Sequence, residues 1–228
     1  VKVGAEAARL ERALVARFDV VEATVDIGDR QFEILRPRDA EALINEADFD
    51  RDERLPYWAD VWPSSLVLGA RLREERGAGR TLLELGCGVG VVGLAAASAG
   101  FDVTLSDYYE DALLFARVNL ARAGFDAVAR ALDWRALPDD LPTYDAVAAS
   151  DVLYERPYAQ LVVEVIDRTL AHDGIALVAD PGRVAAPEFT LAARKRGLTV
   201  DDSDVRPLAI GAITQQIRLH TLRRSAAR

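Results

Sequence analysis

The chain has 228 residues, half of them apolar, which is enough for one sizeable α/β domain with an N-terminal addition. A formal net charge of −9 and a pI near 4.9 leave no excess of Lys and Arg for phosphate contacts, so nucleic acid is not an expected partner. One cysteine excludes an intrachain disulfide and a cysteine zinc site, His172 and His220 have no ligand spacing, and no apolar run approaches the roughly 18 residues of a bilayer span.

Residues 5–17 place Leu10, Leu14 and Val15 on one side of a helix. This charged, helix-patterned start does not read as a signal peptide, and the expected location is the cytoplasm. Val20–Ile27 and Gln31–Leu35 are β-rich and joined by Gly28-Asp29-Arg30, a hairpin pattern. A short acidic helix is expected over Asp39–Ala47, with Asp39 as its N-cap. Phe49–Trp62 is aromatic, charged and irregular, and Pro63 opens a helix to about Glu75.

From residue 80 strands and helices alternate. The strands are Thr81–Leu85, Asp102–Ser106, Ala127–Ala131, Ala146–Ala149 and Gly174–Ala179, with helices over Val91–Ala99, Glu110–Ala123 and Pro157–Leu170. Ala185–Arg196 reads as a helix, and Leu198–Val205 and Ile213–Leu222 as closing strands that pair antiparallel at the sheet edge. The predicted fold is α/β: a doubly wound, mostly parallel, seven-stranded Rossmann-like sheet with an antiparallel edge strand. No repeat or strong linker interrupts it, so residues 1–50 read as an N-terminal helix and hairpin extension and 51–228 as one domain.

Ligands of such sheets sit beyond the carboxyl ends of the strands, at the switch in strand order. The first strand runs into Glu84-Leu85-Gly86-Cys87-Gly88-Val89-Gly90. Its glycines let backbone pass where a β-carbon would collide with a ligand. The second strand ends in Ser106-Asp107-Tyr108, placing Asp107 about 20 residues beyond Gly86, where an acid accepts ribose hydroxyls. The third is followed by Asp133-Trp134, suited to an adenine edge and face, and the fourth by Ser150-Asp151-Val152-Leu153-Tyr154. Other roles compete: Asp107 and Asp151 as helix caps, Asp133 as a turn residue, Trp134 and Tyr154 as core, and Glu84 as a buried acid holding loop amides. Cys87 contributes its backbone only.

No G-x-x-x-x-G-K-[ST] is present, and Val91 stands where a dinucleotide fingerprint needs glycine or alanine. An adenosine ligand without a pyrophosphate fits better, and S-adenosylmethionine is that ligand.

The glycine stretch with Asp107 resembles the first two motifs of class I (seven-β-strand) methyltransferases. Asp151-Val152-Leu153-Tyr154 resembles the D-x-x-Y signature of the family 16 protein lysine methyltransferases, and Val61-Trp62-Pro63-Ser64-Ser65 its V-W element. The likeness covers residues 56–180. It implies an S-adenosylmethionine-dependent N-methyltransferase acting on a protein lysine, with Trp62 beside the cofactor and Trp134 bordering adenine. Trp62, Glu84, Gly86, Cys87, Gly88, Asp107, Tyr108, Asp133, Trp134 and Ser150 are the candidate cofactor residues. Asp151, which would bind and orient the acceptor ammonium, and Tyr154, which would wall its channel, are the candidate catalytic pair; no metal is expected. Tyr57, Trp58 and Trp62 would form a lid. A small amine is the rival acceptor. A nucleic-acid amino-methyltransferase is disfavoured, because Val152-Leu153 replaces the prolines of its D-P-P-Y turn. An NAD-dependent oxidoreductase and a non-catalytic adenosine-ligand scaffold are the readings from other classes.

Overall fold

The computed structural model describes residues 2–44 and 55–225. In chain order the elements are α1 (Lys2–Val15), β1 (Val20–Ile27), β2 (Arg30–Pro37), α2 (Pro63–Arg73), β3 (Thr81–Leu85), α3 (Val91–Ser98), β4 (Asp102–Asp107) and α4 (Glu110–Arg122). Then come β5 (Val128–Ala131), β6 (Tyr144–Ser150), α5 (Arg156–Thr169), β7 (Leu170–Asp180), α6 (Ala186–Lys195), β8 (Leu198–Ile210) and β9 (Ile213–Arg224).

Seven strands form one sheet in the order β5-β4-β3-β6-β7-β9-β8. The run from β5 to β7 is parallel; β9 is antiparallel to β7, and β8 to β9. The chain leaves β3 outward through β4 to β5, then returns to β6 on the other side. The switch in strand order therefore lies between β3 and β6, and it fixes where a crevice opens.

Strand alternation divides the core in two. Leu82, Ala146, Ala148, Ile175 and Leu177 face one layer with α2, α3 and α4. Leu83, Leu85, Val147, Ala176 and Val178 face the other, with α5 and α6. Both faces of the central strands are covered, which is why they read as unbroken apolar runs rather than alternating ones. Helix α3 is buried from Val91 through Ala96, so it carries no polar stripe.

Strands β1 and β2 form a separate two-stranded sheet, closed by a two-residue turn with Gly28 at φ 65°. Its inward residues Val25, Ile27, Phe32 and Ile34 join Leu10 and Leu14 of α1 in the α2–α4 core. Asn119 of α4, wholly buried, fixes the junction. Its Nδ2 donates to the carbonyls of Leu35 (2.9 Å) and Val89 (2.8 Å), and its Oδ1 accepts from the amide of Leu35 at 2.7 Å.

Two expectations need correcting. The helix expected over Asp39–Ala47 is a single 3₁₀ turn, Glu41–Leu43, and the chain is already extended at Ile44 (ψ 119°). Asp39 does accept from the Glu41 amide at 2.9 Å, but no residue of the turn is buried, so no apolar face prolongs the helix. Residues 45–47 of that segment lie outside the described residues. The closing strands are longer than expected, running to Ile210 and from Ile213 to Arg224 around Gly211. Pro207 sits within β8 because β8 is the sheet edge, where a missing amide breaks no second ladder.

Candidate functional site

The loop after β3 is shaped by close approach. Gly86 and Gly88 have φ of 65° and 51°. A β-carbon at Gly86 would lie 3.3 Å from Val152 Cγ1 and 3.7 Å from the Trp134 ring; one at Gly88 would lie 2.9 Å from the Trp58 carbonyl oxygen. A side chain would be strained at both positions, and at Gly88 it would also press on backbone. Between them the Cys87 amide donates to the Ser106 carbonyl at 2.9 Å, tying the loop to β4. The Cys87 thiol is buried, and burial, with Asp107 and Glu84 nearby, pushes its pKa well up. It stays protonated and inert.

Asp107 closes β4 on the other side of the loop. Its Oδ2 accepts from the Gly88 amide and its Oδ1 from the Tyr109 amide, both at 3.0 Å. Burial raises its pKa to about 6, against the pull of the Tyr109, Gly88 and Tyr108 amides. The cap of α4 is Tyr109, so Asp107 is not itself the N-cap.

β6 supplies the opposite wall. It ends at Ser150, and Asp151 follows at φ 58°, the non-glycine residue with positive φ among the described residues. That conformation is strained for a side chain and turns its carboxylate back toward α2 and the loop after β7. Asp151 Oδ1 accepts from Arg183 Nε at 2.6 Å, and Oδ2 from Ser64 Oγ at 3.2 Å. The next helix, α5, is capped by Glu155, so capping does not explain Asp151.

Arg183 is held in turn by Asp180 at the end of β7. The Asp180 carboxylate accepts from the amides of Gly182 (2.8 Å) and Arg183 (3.1 Å). The guanidinium lies 5.4 Å from the centre of the Trp62 ring, whose Nε1 donates to the Tyr57 carbonyl at 2.8 Å.

Aromatic rings complete the cleft. Tyr154 sits between Tyr57 and Tyr158, with ring centres 5.3 and 4.9 Å away, and Trp134 meets Tyr158 edge-on at 5.7 Å. Burial and the Tyr158 neighbour raise the Tyr154 hydroxyl far above its usual range, so it remains a neutral phenol and is no base. Trp134 Nε1 is a buried donor without a hydrogen-bond partner. Asp133 is paired with Arg135 (2.8 Å), which lies 5.6 Å over the Tyr108 ring.

These walls surround one cleft that is open to solvent at its mouth. Trp62, Gly86, Cys87, Gly88, Asp107, Tyr108, Asp133, Trp134, Ser150, Asp151 and Tyr154 all border it. Glu84 does not. Within β3 it shares the face of Leu82, so its carboxylate lies under α3, where Oε2 would be 2.9 Å from a Gly93 β-carbon and has no partner. Burial and the Asp107 charge push its pKa well up, and its carboxylate lies away from the cleft lining. The sequence reading missed Ser64, Tyr158, Asp180 and Arg183. Following the chain beyond the fifth strand, into Asp180-Pro181-Gly182-Arg183, would have found the last two.

No helix of the described residues is long and apolar enough to cross a membrane.

The model of a family described as lysine methyltransferase matches residues 51–189. The chain is 34% identical over 109 residues to protein N-lysine methyltransferase METTL21A of Xenopus tropicalis, covering 45% of this chain and 50% of the relative. It is 28% identical over 132 residues to the electron transfer flavoprotein beta subunit lysine methyltransferase of Danio rerio, covering 56% and 51%. The chain thus spans about half the length of these curated relatives. Among solved structures, magnesium protoporphyrin IX methyltransferase from Synechocystis PCC 6803, with bound SAM, superposes with a TM-score of 0.57 at 17% identity. That match covers 80% of this chain and 94% of that one, and it shows a shared Rossmann-like methyltransferase fold.

Proposed function

We propose that this chain, which belongs to the lysine methyltransferase family, is an S-adenosylmethionine-dependent N-methyltransferase whose acceptor is a lysine side chain of a protein. The observation that carries the reading is the meeting of a glycine loop, Asp107 and Trp134 with Asp151 and Tyr154 across one cleft.

The residues fit the cofactor. Gly86 and Gly88 leave backbone open where a β-carbon would fill the cradle, Asp107 offers its remaining lone pairs to ribose hydroxyls, and the unpartnered Trp134 Nε1 offers a donor beside the adenine position. When bound, S-adenosylmethionine supplies an electrophilic methyl group: the acceptor nitrogen lone pair forms the new C–N bond as the sulfonium C–S bond breaks, its electron pair remaining on sulfur. Asp151 orients the acceptor by accepting its N–H. Tyr57, Tyr154 and Tyr158 wall the acceptor with rings that attract a cation and exclude water. Tyr57, Trp58 and Trp62 serve as the lid.

A small amine is the second reading, favoured by that aromatic lining. Asp60 and Glu155 at the same cleft favour a cationic side chain carried on a larger partner. Residence in the cytoplasm and absence of nucleic acid from the reaction belong to the same proposal, supported by the net charge of −9 and the single cysteine. The division near residue 50 is proposed as one of topology: a separate two-stranded sheet shares its core with the 51–228 domain.

The test is incubation of the chain with tritiated S-adenosylmethionine and a dialysed cell extract, before and after protease. Label that becomes soluble on proteolysis supports the protein acceptor. Label appearing in small amines added to the extract supports the second reading, and no transfer at all ends both.

A further inference from the structure

We propose that Arg183 is a positioning residue that cancels the charge of Asp151, so that the bound acceptor amine sheds its proton and presents a lone pair. This rests on the reading of the cleft as an N-methyltransferase site.

A lysine amine has a pKa of roughly 10.4 in water. It arrives as an ammonium, which has no lone pair to attack with. A lone buried carboxylate beside it would make matters worse, because an opposite charge favours the protonated form. Asp151 alone would therefore bind the acceptor well and hold it unreactive.

The structure does not leave Asp151 alone. Arg183 Nε donates to Oδ1 at 2.6 Å, while Arg183 itself stands outside the cleft wall. Asp151 lines the cleft, with Ser64 Oγ on its other oxygen at 3.2 Å. A carboxylate has about four lone-pair sites, so it can still accept an amine N–H while its net charge is offset from behind. Orientation is kept and electrostatic trapping is removed.

The arrangement is built rather than incidental. Asp180, buried at the end of β7, binds the amides of Gly182 and Arg183 and fixes the turn, with Gly182 at φ 95°. Trp62 lies beneath the guanidinium at 5.4 Å. The other titratable groups lining the cleft are Asp107 from β4, Asp60 and Tyr57 ahead of α2, Tyr154, Glu155 and Tyr158 around the start of α5, and, beyond β5, the cation Arg135 paired with Asp133. Arg183 is the cation that contacts Asp151. The acceptor ammonium releases H⁺ to water at the mouth, R–NH₃⁺ giving R–NH₂, which leaves the nitrogen lone pair free for attack.

The test compares wild type, R183K and R183Q as full chains with tritiated S-adenosylmethionine and extract protein, from pH 6 to pH 9.5. In R183Q the acid limb of the rate profile should move up by about one to two pH units, the range expected for one charge removed at this distance. Labelling at pH 7 should fall at least tenfold and recover near pH 9.5. R183K should keep the limb within about half a unit. A second readout uses n-butylammonium at pH 7, followed by tryptophan fluorescence. R183Q should bind it several-fold more tightly than wild type, whereas a merely damaged site would bind it more weakly. R183M, which keeps part of the stem over Trp62, replaces R183Q if that variant melts below the assay temperature. An unmoved acid limb in a variant that still turns over, or weaker butylammonium binding, overturns the proposal. Absence of transfer by the wild type would instead sink the N-methyltransferase reading.

Discussion

The amide of Gly88 donates to Asp107 Oδ2 at 3.0 Å, so the loop after β3 and the acid ending β4 form one unit. Burial holds Asp107 at about 6, above the usual carboxylate range. The ionised form, which accepts ribose hydroxyls best, fills as pH rises through that value. Cofactor affinity is therefore expected to weaken as pH falls from 7 to 5 and to be low and flat in Asp107→Ala. Calorimetric titration across that range checks it; a flat wild-type profile would remove Asp107 from the site. The ligand-free protein should show the opposite trend at this residue, gaining stability as pH falls from about 6 toward 4, because the folded state takes up the proton first.

Gly88→Ala is expected to damage both stability and binding. The residue has φ 51°, and a β-carbon would stand 2.9 Å from the Trp58 carbonyl oxygen. Left-handed strain and the displaced turn together should cost about 2–3 kcal/mol. Thermal melting should show the loss, and calorimetry at least a tenfold weaker cofactor affinity. Wild-type affinity would mean that the Trp58 turn moves freely and does not shape the site.

Asn119→Ala removes three buried hydrogen bonds, two to Leu35 and one to Val89. The stranded amide and carbonyls should cost about 3 kcal/mol. Because Val89 belongs to the glycine loop, cofactor affinity should fall as well, although Asn119 does not line the cleft. A melt that drops while affinity stays fixed would show that the hairpin and the loop are not coupled.

Asp151→Ala, which removes the oxygens that accept the amine N–H, is expected to abolish turnover at neutral pH while leaving cofactor affinity within about twofold. Its partners, Arg183 and Ser64, lie away from the glycine loop, so the cradle should persist. Turnover at the wild-type rate would refute the role given to Asp151.

His220→Phe is expected to stabilise the protein. The ring is buried beside Phe189 (5.6 Å between centres), neither nitrogen has a hydrogen-bond partner, and burial lowers its pKa to about 4. No bond is lost on substitution, so a gain of about 1–2 kcal/mol is expected at pH 7. In the wild type the unfolded state takes up a proton below about pH 6.5 that the folded state refuses until about 4, so stability falls across that interval. The variant should lose this part of the acid sensitivity, as melts at pH 7 and pH 5 would reveal.

The strand ends were legible because sequence-local patterns encode them. Apolar runs marked β3, β4 and β6, and the residues just beyond each run fell at the cleft without knowledge of any contact. Glu84 lies away from the cleft because period-two alternation acts inside the strand: one residue before its end, the side chain still belongs to the α3 face. The Asp39–Ala47 helix failed for a related reason. A good cap cannot sustain a helix that buries no face.

The amino-acid order by itself determined the parallel sheet, the glycine loop and the acids that follow the strands, because each depends on spacings of a few residues set by strand and helix geometry. The state of those acids was decided only in three dimensions. Asp151 meets Ser64 and Arg183 from 87 and 32 residues away, and Asn119 reaches Leu35 across 84. Such pairings carry no local periodicity. They exist because the sheet's strand order, with the packing of α2, α4 and the β7 loop, brings segments distant in the chain into contact.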